Sequence, residues 1–355
     1  MSLKSMLRRF LYRLYDYQSA YIDNSNIKLA VIHIPDQIGD AMSVFPIIRA
    51  LEAHNVKHLL IVSSTINQSI FEALSLRQTT LTVISMTMQD YATFSEIKTV
   101  ARKIRKEYGT PDICIEAMRR KNLKTMVFIN KLRARTNLQA AGLTMKCYSP
   151  VCQIASKMDQ NFRAPVPMTW AILMREAGFS AVRGAFELPL SEAVLTEVRR
   201  ETLALGRYIA LNLEGSAQER TFSLPVAKKL IAIIKKEFDL PIIIVHGPKG
   251  IDNSVSLTQS CDGVHRLSLS PSIMRSAAVI NDAFLAITPD TSVLHMASAY
   301  NIPVIAVYAD YKTRWPAMQD IAETIVVGKD IDHINLDEFN EAIKRVNLRI
   351  QSNPS

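Results

Sequence analysis

Two aspartates, Asp36 and Asp40, flank Gly39 in the segment HIPDQIGDAMS, which joins an apolar run to an amphipathic stretch. A turn that leads into a helix presents free backbone N–H groups and the positive end of the helix dipole. A carboxylate at such a turn is stabilised and can also act on a ligand, so Asp40 is a candidate for acid–base chemistry. The alternative is that Asp36 or Asp40 only caps the helix, which is the commoner role of an aspartate there.

A second candidate segment is TPDTSVLHMASAYNIPVIAVY, which runs from Thr288 to Tyr308. Asp290, Thr291 and Ser292 follow a predicted strand and open a predicted helix, so their N–H groups and hydroxyls form a possible cradle for a diphosphate. His295 lies one turn further into the helix. Taken alone, Asp-Thr-Ser is also an ordinary helix cap, and a histidine in a helix more often packs than binds a ligand.

A third candidate segment is NLEGSAQERTFSLPVAKKL, which leaves a predicted strand through Gly215 and Ser216 and places Arg220 in the loop. Glycine is scarce, with 11 in 355 residues, so a glycine directly after a strand indicates a tight turn or a close approach. The guanidinium of Arg220 could bind a phosphate with two parallel hydrogen bonds. The alternative is a surface arginine without a special role.

All three segments follow strand-like runs, and such runs alternate with helical patterns twice along the chain. The first half contains the strand-like runs KLAVIHI, HLLIVSS, LTVISM and DICIEA, and the second half contains RYIALNLEG, PIIIVHG, VHRLSLS, AFLAITPD and IPVIAVYAD. This alternation predicts an α/β fold with two doubly wound, Rossmann-like domains that face each other across a cleft. Residues 150–190, which contain four prolines, are the predicted linker region, with domain ranges of 28–185 and 186–355.

Composition narrows the possible partners and the compartment. The 42 Lys+Arg and 33 Asp+Glu give a formal net charge of +9, which suits phosphorylated ligands, a polyanionic surface or an anionic membrane. Four cysteines without CxxC spacing indicate reduced thiols of a cytoplasmic protein and no cysteine-based metal site. Residues 1–27 form a basic amphipathic extension, which we expect either to lie on anionic headgroups or to pack on the protein itself.

The three segments, in this order and spacing, resemble the lipopolysaccharide heptosyltransferases, which are inverting glycosyltransferases of the GT-B type. The resemblance covers roughly residues 28–340. It rests on motifs at the ends of three predicted strands: Gly39-Asp40 followed by Met42 and Pro46; Gly215-Ser216 with Arg220-Thr221-Phe222; and Asp290-Thr291-Ser292 with His295, followed by a small-residue helix and a Pro-Val strand. The third motif is the most specific of the three.

The resemblance implies a role for each matching residue. Asp40 is the general base that deprotonates the acceptor hydroxyl, and Gly39 lies on the acceptor side, in the N-terminal domain. Single-step inversion requires one such base and stabilisation of the departing diphosphate. The residues implied to bind the nucleotide-sugar donor, in the C-terminal domain, are Gly215, Ser216, Arg220, Leu267, Asp290, Thr291, Ser292 and His295. The stabilisation is expected from Arg220, Ser216 and the helix that begins near Thr291, without a metal or other cofactor.

The implied partners are ADP-heptose, the lipopolysaccharide core acceptor and the cytoplasmic surface of the inner membrane, with no nucleic acid. A basic segment from Arg119 to Arg135 is either a wall that binds an anionic acceptor or a solvated helical face. The sequence Asp330-Ile-Asp332 has the form of a DxD metal motif but lies in a late polar loop. Asp36 is expected to have only a turn or capping role.

Two departures from the family pattern keep other functions open: Ser292 stands where the family has glycine, and Phe222 stands where it usually has tryptophan. After PIIIVHG, where relatives often carry an acidic residue that contacts the ribose, the chain offers only Asp252, several residues late. The alternatives are a transferase for another nucleotide sugar, a nucleotide-sugar epimerase and a non-catalytic glycolipid-binding relative. An oxidoreductase is disfavoured because no G-x-G-x-x-G follows a strand.

Overall fold

The computed structural model describes residues 10–20, 26–120, 122–215, 217–310 and 314–352, apart from the side chains of Asp159 and Phe162. The chain divides into two compact units, Met1–Ala185 and Phe186–Ser355. Each unit contains a parallel β-sheet, and helices connect most of its consecutive strands, as the alternation in the sequence predicts.

The first unit contains a five-stranded parallel sheet in the order β3-β2-β1-β4-β5. Its strands are β1 (Leu29–Ile34), β2 (His58–Ser64), β3 (Thr80–Met86), β4 (Ile113–Glu116) and β5 (Thr136–Gln139). Strands β1 and β2 are almost completely buried, which is why they are continuous apolar runs rather than alternating ones. β1 lies between β2 and β4, so the turns that follow these three strands lie at one edge of the sheet.

In the described part of the first unit, seven helices follow β1. They are α1 (Ile38–Ser43), α2 (Phe45–Ala53), α3 (Gln68–Glu72), α4 (Phe94–Tyr108), α5 (Leu123–Leu132), α6 (Val151–Phe162) and α7 (Val166–Glu176). Helix α4 shows how the sequence sets its limits. Thr93 accepts a hydrogen bond from the Glu96 N–H at 3.1 Å, and Gly109 ends the helix with a positive φ of 89°.

The predicted linker, residues 150–190, is largely helical. Pro150 precedes α6, and Pro165 and Pro167 stand at the start of α7, where a missing backbone N–H costs no helical hydrogen bond. The α7 residue Trp170 is fully buried. The longest stretch of this region without helix or strand is residues 179–191, which lead to the first helix of the second unit.

The second unit contains a six-stranded parallel sheet in the order β11-β10-β9-β6-β7-β8. Its strands are β6 (Ile209–Asn212), β7 (Ile242–Val245), β8 (Val264–His265), β9 (Leu285–Pro289), β10 (Val304–Tyr308) and β11 (Ala322–Val326). Its helices are α8 (Glu192–Thr202), α9 (Leu224–Glu237), α10 (Ile251–Ser260), α11 (Ile273–Asn281), α12 (Ser292–Ala299) and α13 (Leu336–Ser352). β8 is much shorter than the predicted run VHRLSLS.

The described part of the N-terminal extension packs on the first unit. Residues 10–15 are helical, and the Tyr17 hydroxyl accepts a hydrogen bond from Asn137 Nδ2 at 2.9 Å. Asp16 Oδ1 accepts one from the Cys147 N–H at 3.0 Å. Residues 1–9 and 21–25 lie outside the described residues. Within the described part of the chain, no helix combines the length and apolar character needed to cross a bilayer.

Candidate active site

Asp40 lies in the first turn of α1, directly after the turn that follows β1. Gln37 precedes the helix, Ile38 and Gly39 form its first two residues, and no described side chain caps it. The capping interpretation of Asp36 and Asp40 is therefore wrong. Asp40 is half-buried, and no side chain of another described residue donates a hydrogen bond to its carboxylate. Burial and then the charge of Asp36 raise the Asp40 pKa to about 7, against the opposing effect of nearby arginines.

Asp36 is an anchor for Arg120. Arg120 Nη2 donates to Asp36 Oδ2 at 2.9 Å, and Arg120 Nη1 lies 3.1 Å from Asp90 Oδ2, so one guanidinium joins the turns after β1 and β3. Burial raises the pKa of Asp36, and the charge of Arg120 opposes this increase. The Asp36 carbonyl oxygen accepts hydrogen bonds from Ser64 Oγ at 2.7 Å and Asn67 Nδ2 at 3.0 Å, which fix the turn that leads to Asp40.

Arg119 precedes Arg120 in the turn after β4 and has a φ of 49°, in the left-handed region that only glycine enters without cost. Burial lowers the Arg119 pKa, while the negative charge of Asp40 opposes the decrease. A partly desolvated arginine with a strained backbone beside a carboxylate is a feature typical of functional sites. Sequence reasoning placed both arginines in a basic segment but did not pair them with the aspartates.

The fold divides the basic segment from Arg119 to Arg135 into two groups of residues at opposite ends of α5. Arg119, Arg120 and Lys124 lie at the start of α5, where Lys124 Nζ donates to the Asp90 carbonyl oxygen at 2.7 Å. Lys131, Arg133 and Arg135 lie at or beyond the other end of α5, about 15 Å away at 1.5 Å per residue. Lys121 lies outside the described residues. Only the first group can take part in chemistry at Asp40.

Two buried ionisable residues lie at the ends of the strands beneath this site. His33 of β1 and Glu116 of β4 are register partners, and both are fully buried. Burial raises the Glu116 pKa to about 8 and lowers the His33 pKa to about 3. The His33 ring stacks on Phe128 at 4.0 Å between centroids. Both groups are mainly neutral near pH 7, so the aspartates lie above an uncharged layer that strengthens electrostatic effects.

The second unit brings together the turns after β6 and β9. Asn212 Nδ2 donates to Thr288 Oγ1 at 3.0 Å and to Thr291 Oγ1 at 3.1 Å, which joins the two strand ends. The Thr291 hydroxyl accepts a hydrogen bond from the Val293 N–H at 3.3 Å and so caps α12, whose first residue is Ser292. The predicted helix start near Thr291 is confirmed by this cap. Asn212 was not identified from the sequence.

Arg220 and Asp290 meet at the same place. Arg220 Nη1 lies 3.5 Å from Asp290 Oδ2, and burial raises the Asp290 pKa while Arg220 opposes this effect. Gly215 is required by packing, because a Cβ atom there would lie 2.4 Å from both the Cβ and the carbonyl oxygen of Arg220. The close approach inferred for this glycine is therefore to Arg220. Ser216 lies outside the described residues.

His295 of α12 belongs to a cluster of three mutually contacting rings, with Phe186 and Trp315. Its ring stacks on Phe186 at 4.5 Å between centroids and lies 5.1 Å from the ring of Trp315. Only 5% of His295 is exposed, and burial lowers its pKa to about 3, so it is neutral at physiological pH. His295 therefore packs against other rings, which is the alternative to ligand binding that the sequence left open.

The remaining predicted positions lie around β7 and β8. Leu267 is half-buried and borders a pocket of about 20 Å³, room for about one water molecule. Asp252 is exposed, whereas Glu214 Oε2 accepts a hydrogen bond from the Gly247 N–H at 2.7 Å. Glu214 is thus the acidic group held against the turn after β7, although it follows β6, and no pattern in the sequence indicates this contact.

The DxD-like sequence has a structural role. Asp330 Oδ1 accepts a hydrogen bond from the Asp332 N–H at 3.0 Å, and Asp332 Oδ1 accepts one from the Ser223 N–H at 2.7 Å. Among the residues that the structure describes, no group of three or more His, Cys, Asp or Glu side chains has an arrangement suited to a metal ion.

Comparisons with known proteins identify the family of this chain. The model of glycosyltransferase family 9 (heptosyltransferase) matches residues 251–338. The putative uncharacterized protein YeeL of Escherichia coli (strain K12) is 62% identical over 234 residues, which are 66% of this chain and 100% of that protein. The chain belongs to glycosyltransferase family 9. It is therefore identified as a glycosyltransferase, and the heptosyltransferase resemblance inferred from the sequence is confirmed at the level of the family.

Solved structures of other proteins share the fold of this chain. The family 9 glycosyl transferase of Veillonella parvula DSM 2008 superposes with a TM-score of 0.72 at 15% identity and covers 94% of this chain and 100% of its own. The E. coli ADP-heptose lps heptosyltransferase II superposes with a TM-score of 0.67 at 14% identity, covering 92% and 100%. These matches confirm the predicted fold class, an α/β fold of the GT-B type with parallel sheets.

Proposed function

We propose that this chain transfers heptose from ADP-heptose to the inner core of lipopolysaccharide with inversion, and that Asp40 is the general base. The observation that carries the proposal is the Asp40 carboxylate, which is half-buried, receives no hydrogen bond from a described side chain, and has a pKa raised to about 7. A base with a pKa near the working pH combines a populated ionised form with a strong tendency to accept a proton. The family description, heptosyltransferase, and the name of the similar ADP-heptose lps heptosyltransferase II support this choice of donor and of a lipopolysaccharide acceptor.

In the proposed reaction, the ionised Asp40 removes the proton from an acceptor hydroxyl as its oxygen attacks the anomeric carbon of the donor. The bond from that carbon to the diphosphate oxygen breaks in the same step, and nucleoside diphosphate leaves. Arg119 and Arg120 place two guanidinium groups near Asp40 that could bind the phosphates of a phosphorylated acceptor. Gly39 directly precedes the base in α1, so we assign it to the acceptor side.

The proposed donor site consists of the turns after β6 and β9, with Leu267 on the nucleobase side. Arg220 would neutralise the developing diphosphate charge, and the N–H groups at the start of α12, near Thr291 and Ser292, would donate hydrogen bonds to it. Asp290 fixes the Arg220 side chain, and Gly215 permits the turn. We propose that this stabilisation needs no metal, so that activity should persist in excess chelator. We also place the reaction at the cytoplasmic face of the inner membrane.

The test compares Asp40→Asn and Asp40→Ala with Asp239→Asn, a matched change at an exposed carboxylate of the second unit. Transfer should be lost in both Asp40 variants, while donor binding measured by calorimetry changes little and the Asp239 variant keeps its activity. The anomeric configuration of the product, measured by NMR, reports inversion. Turnover like that of the unmodified chain by Asp40→Asn would exclude Asp40 as the base.

Substrate identity needs a separate screen of nucleotide sugars with and without truncated lipopolysaccharide acceptors, read by mass spectrometry. We expect ADP-heptose to be consumed only when an acceptor is present. Conversion of a nucleotide sugar without an acceptor would indicate an epimerase, and a different preferred donor would indicate another transferase. A donor that is never consumed under any of these conditions would support a non-catalytic glycolipid-binding relative.

A further inference from the structure

A groove between α4 and α5 is lined almost completely by cationic side chains. It has a volume of about 470 Å³ and opens widely to solvent. Its lining residues are Arg102, Arg105, Lys106, Asn130, Lys131 and Arg133, which we call the basic groove. Arg102, Arg105 and Lys106 share one exposed stripe of α4, because they are spaced three and four residues apart.

The charges of the basic groove are not neutralised by the described part of the protein. Arg102, Arg105, Lys106 and Lys131 form no ion pair there, although other arginines of the chain pair with carboxylates. Arg133 donates through Nε to the Asn130 carbonyl oxygen at 3.0 Å and lies over the Tyr17 ring at 4.3 Å. Five positive charges around one open groove produce a strong local potential that attracts a polyanion.

An exposed apolar face borders the basic groove. The Tyr15 carbonyl oxygen accepts a hydrogen bond from Asn130 Nδ2 at 2.9 Å, so the helical residues 10–15 end at the groove. Phe10 and Leu14, four residues apart on one face of this helix, are 59% and 60% exposed. Large apolar side chains beside a dense cationic cluster are the combination found where proteins lie on anionic bilayers, because the apolar groups enter the headgroup region while the cations bind phosphates.

The basic groove is separate from the candidate active site. Asp40 and Arg120 lie at the carboxyl ends of the strands, whereas Lys131 and Arg133 lie at the opposite end of α5, about 15 Å away. The groove therefore requires a function other than holding the reacting end of the acceptor. Its open form and its apolar border fit an extended surface better than a small enclosed ligand.

We propose that the basic groove, together with Phe10 and Leu14, docks this protein on the surface of an anionic phospholipid bilayer. The inference rests on the proposed function only in that a lipopolysaccharide acceptor is anchored in a membrane. Lipid phosphates occupy the space between α4 and α5, and the two apolar side chains enter the interface. An interfacial Lys or Arg contributes about a fivefold factor to binding, so three of them contribute about 100-fold.

The test measures co-sedimentation of the full chain with vesicles of phosphatidylcholine alone or with about one-third phosphatidylglycerol, without donor or acceptor. The triple variant Arg102→Gln, Arg105→Gln, Lys106→Gln should bind anionic vesicles about 100-fold more weakly. Phe10→Ser with Leu14→Ser should weaken binding about tenfold on both kinds of vesicle. The control variant Lys228→Gln, Lys229→Gln, Lys236→Gln removes the same charge from exposed positions of α9 and should bind within about twofold of the unmodified chain.

The docking proposal is overturned if the unmodified chain stays in the supernatant with anionic vesicles, or if the groove variant and the control variant lose equal affinity. It is also overturned if a short RNA duplex binds more tightly than the vesicles at equal salt, since the groove would then be a nucleic-acid surface. Circular dichroism confirms that each variant is folded. Because no substrate is present, a chain that binds vesicles but transfers no sugar refutes the proposed function and leaves the docking surface supported.

Discussion

Replacing Asp40 with asparagine should make the first unit more stable at neutral pH while removing transfer. The folded-state pKa of Asp40 is about 7, raised from 3.8 by burial and by the charge of Asp36. A carboxyl group whose pKa is raised by folding opposes folding when it is ionised. Its cost is absent below pH 4, grows between pH 4 and pH 7, and is complete above pH 7.

The magnitude follows from the pKa difference. Between 3.8 and about 7, at 1.36 kcal/mol per pKa unit, ionisation of Asp40 costs about 4 kcal/mol of the unfolding free energy above pH 7. Partial exposure and titration together with Asp36 reduce this figure, so we expect a gain of about 2 kcal/mol from Asp40→Asn at pH 8. At pH 5 the gain should be less than half as large, since most of the folded protein then carries a protonated Asp40.

The assay uses the distribution of the two tryptophans. Trp170 is fully buried in α7 of the first unit and Trp315 lies in the second, so in a Trp315→Phe background the fluorescence change reports the first unit alone. Urea unfolding of this background with and without Asp40→Asn, at pH 5 and pH 8, gives the two free-energy differences. Glu107→Gln, on the exposed surface of α4, is the charge-matched control and should change stability little at either pH.

A stability gain that is the same at pH 5 and pH 8 would refute the reasoning, because packing or helix propensity would then explain it. A loss at pH 8 would show that ionised Asp40 stabilises the fold, contrary to a raised pKa. If the predicted gain is found together with lost transfer, a single desolvated carboxylate accounts for both effects.

Three further outcomes are expected from the site. Gly215→Ala should destabilise the second unit by about 1–3 kcal/mol, because its Cβ would overlap backbone and side-chain atoms of Arg220. Gly247→Ala should be tolerated, since its Cβ meets only Glu214 Oε2 at 3.6 Å. Paired thermal unfolding curves of the two variants check these expectations. Arg220→Lys keeps the charge but loses the planar fork, so KM for the donor should rise about tenfold or more in steady-state kinetics. Arg119→Gln should move the acid limb of the pH–rate profile above pH 7, because Arg119 lowers the Asp40 pKa, and Arg119→Lys should leave the limb in place.

Most strands could be predicted because burial on both faces makes them apolar. β5 was missed because its residues are TNLQ, although all four are buried. Its side-chain donors find acceptors in the folded chain, as when Asn137 Nδ2 donates to the Cys147 carbonyl oxygen at 2.8 Å. The edge strand β11 was missed because it is only partly buried and does not show a continuous apolar run. Polarity in a strand can be interpreted only when its hydrogen-bond partners are known.

At the candidate site, too, the sequence predicts single residues but not the residues that contact them. Asp40 could be proposed from its place after a strand, since a local pattern of turn and helix is sufficient for that. The environment of Asp40 could not be predicted, because Arg119 and Arg120 follow about 80 residues later in the chain. They reach Asp40 only because β4 lies next to β1 in the sheet. Glu214 likewise contacts a turn that belongs to another strand. Sequence spacing identified single strand ends, whereas the order of the strands decided which side chains meet.

The segment that follows the N-terminal helix also protects the first sheet from self-association. β5 is the outermost strand on its side, and an exposed strand of this kind is a template for pairing with other chains. The Ala20 N–H donates to the Arg135 carbonyl oxygen at 2.8 Å, and Thr136 Oγ1 donates to the Ala20 carbonyl oxygen at 3.1 Å, so this short segment covers the start of the strand. Removal of the first twenty residues should therefore cause aggregation, and such a truncated protein would pellet with or without vesicles.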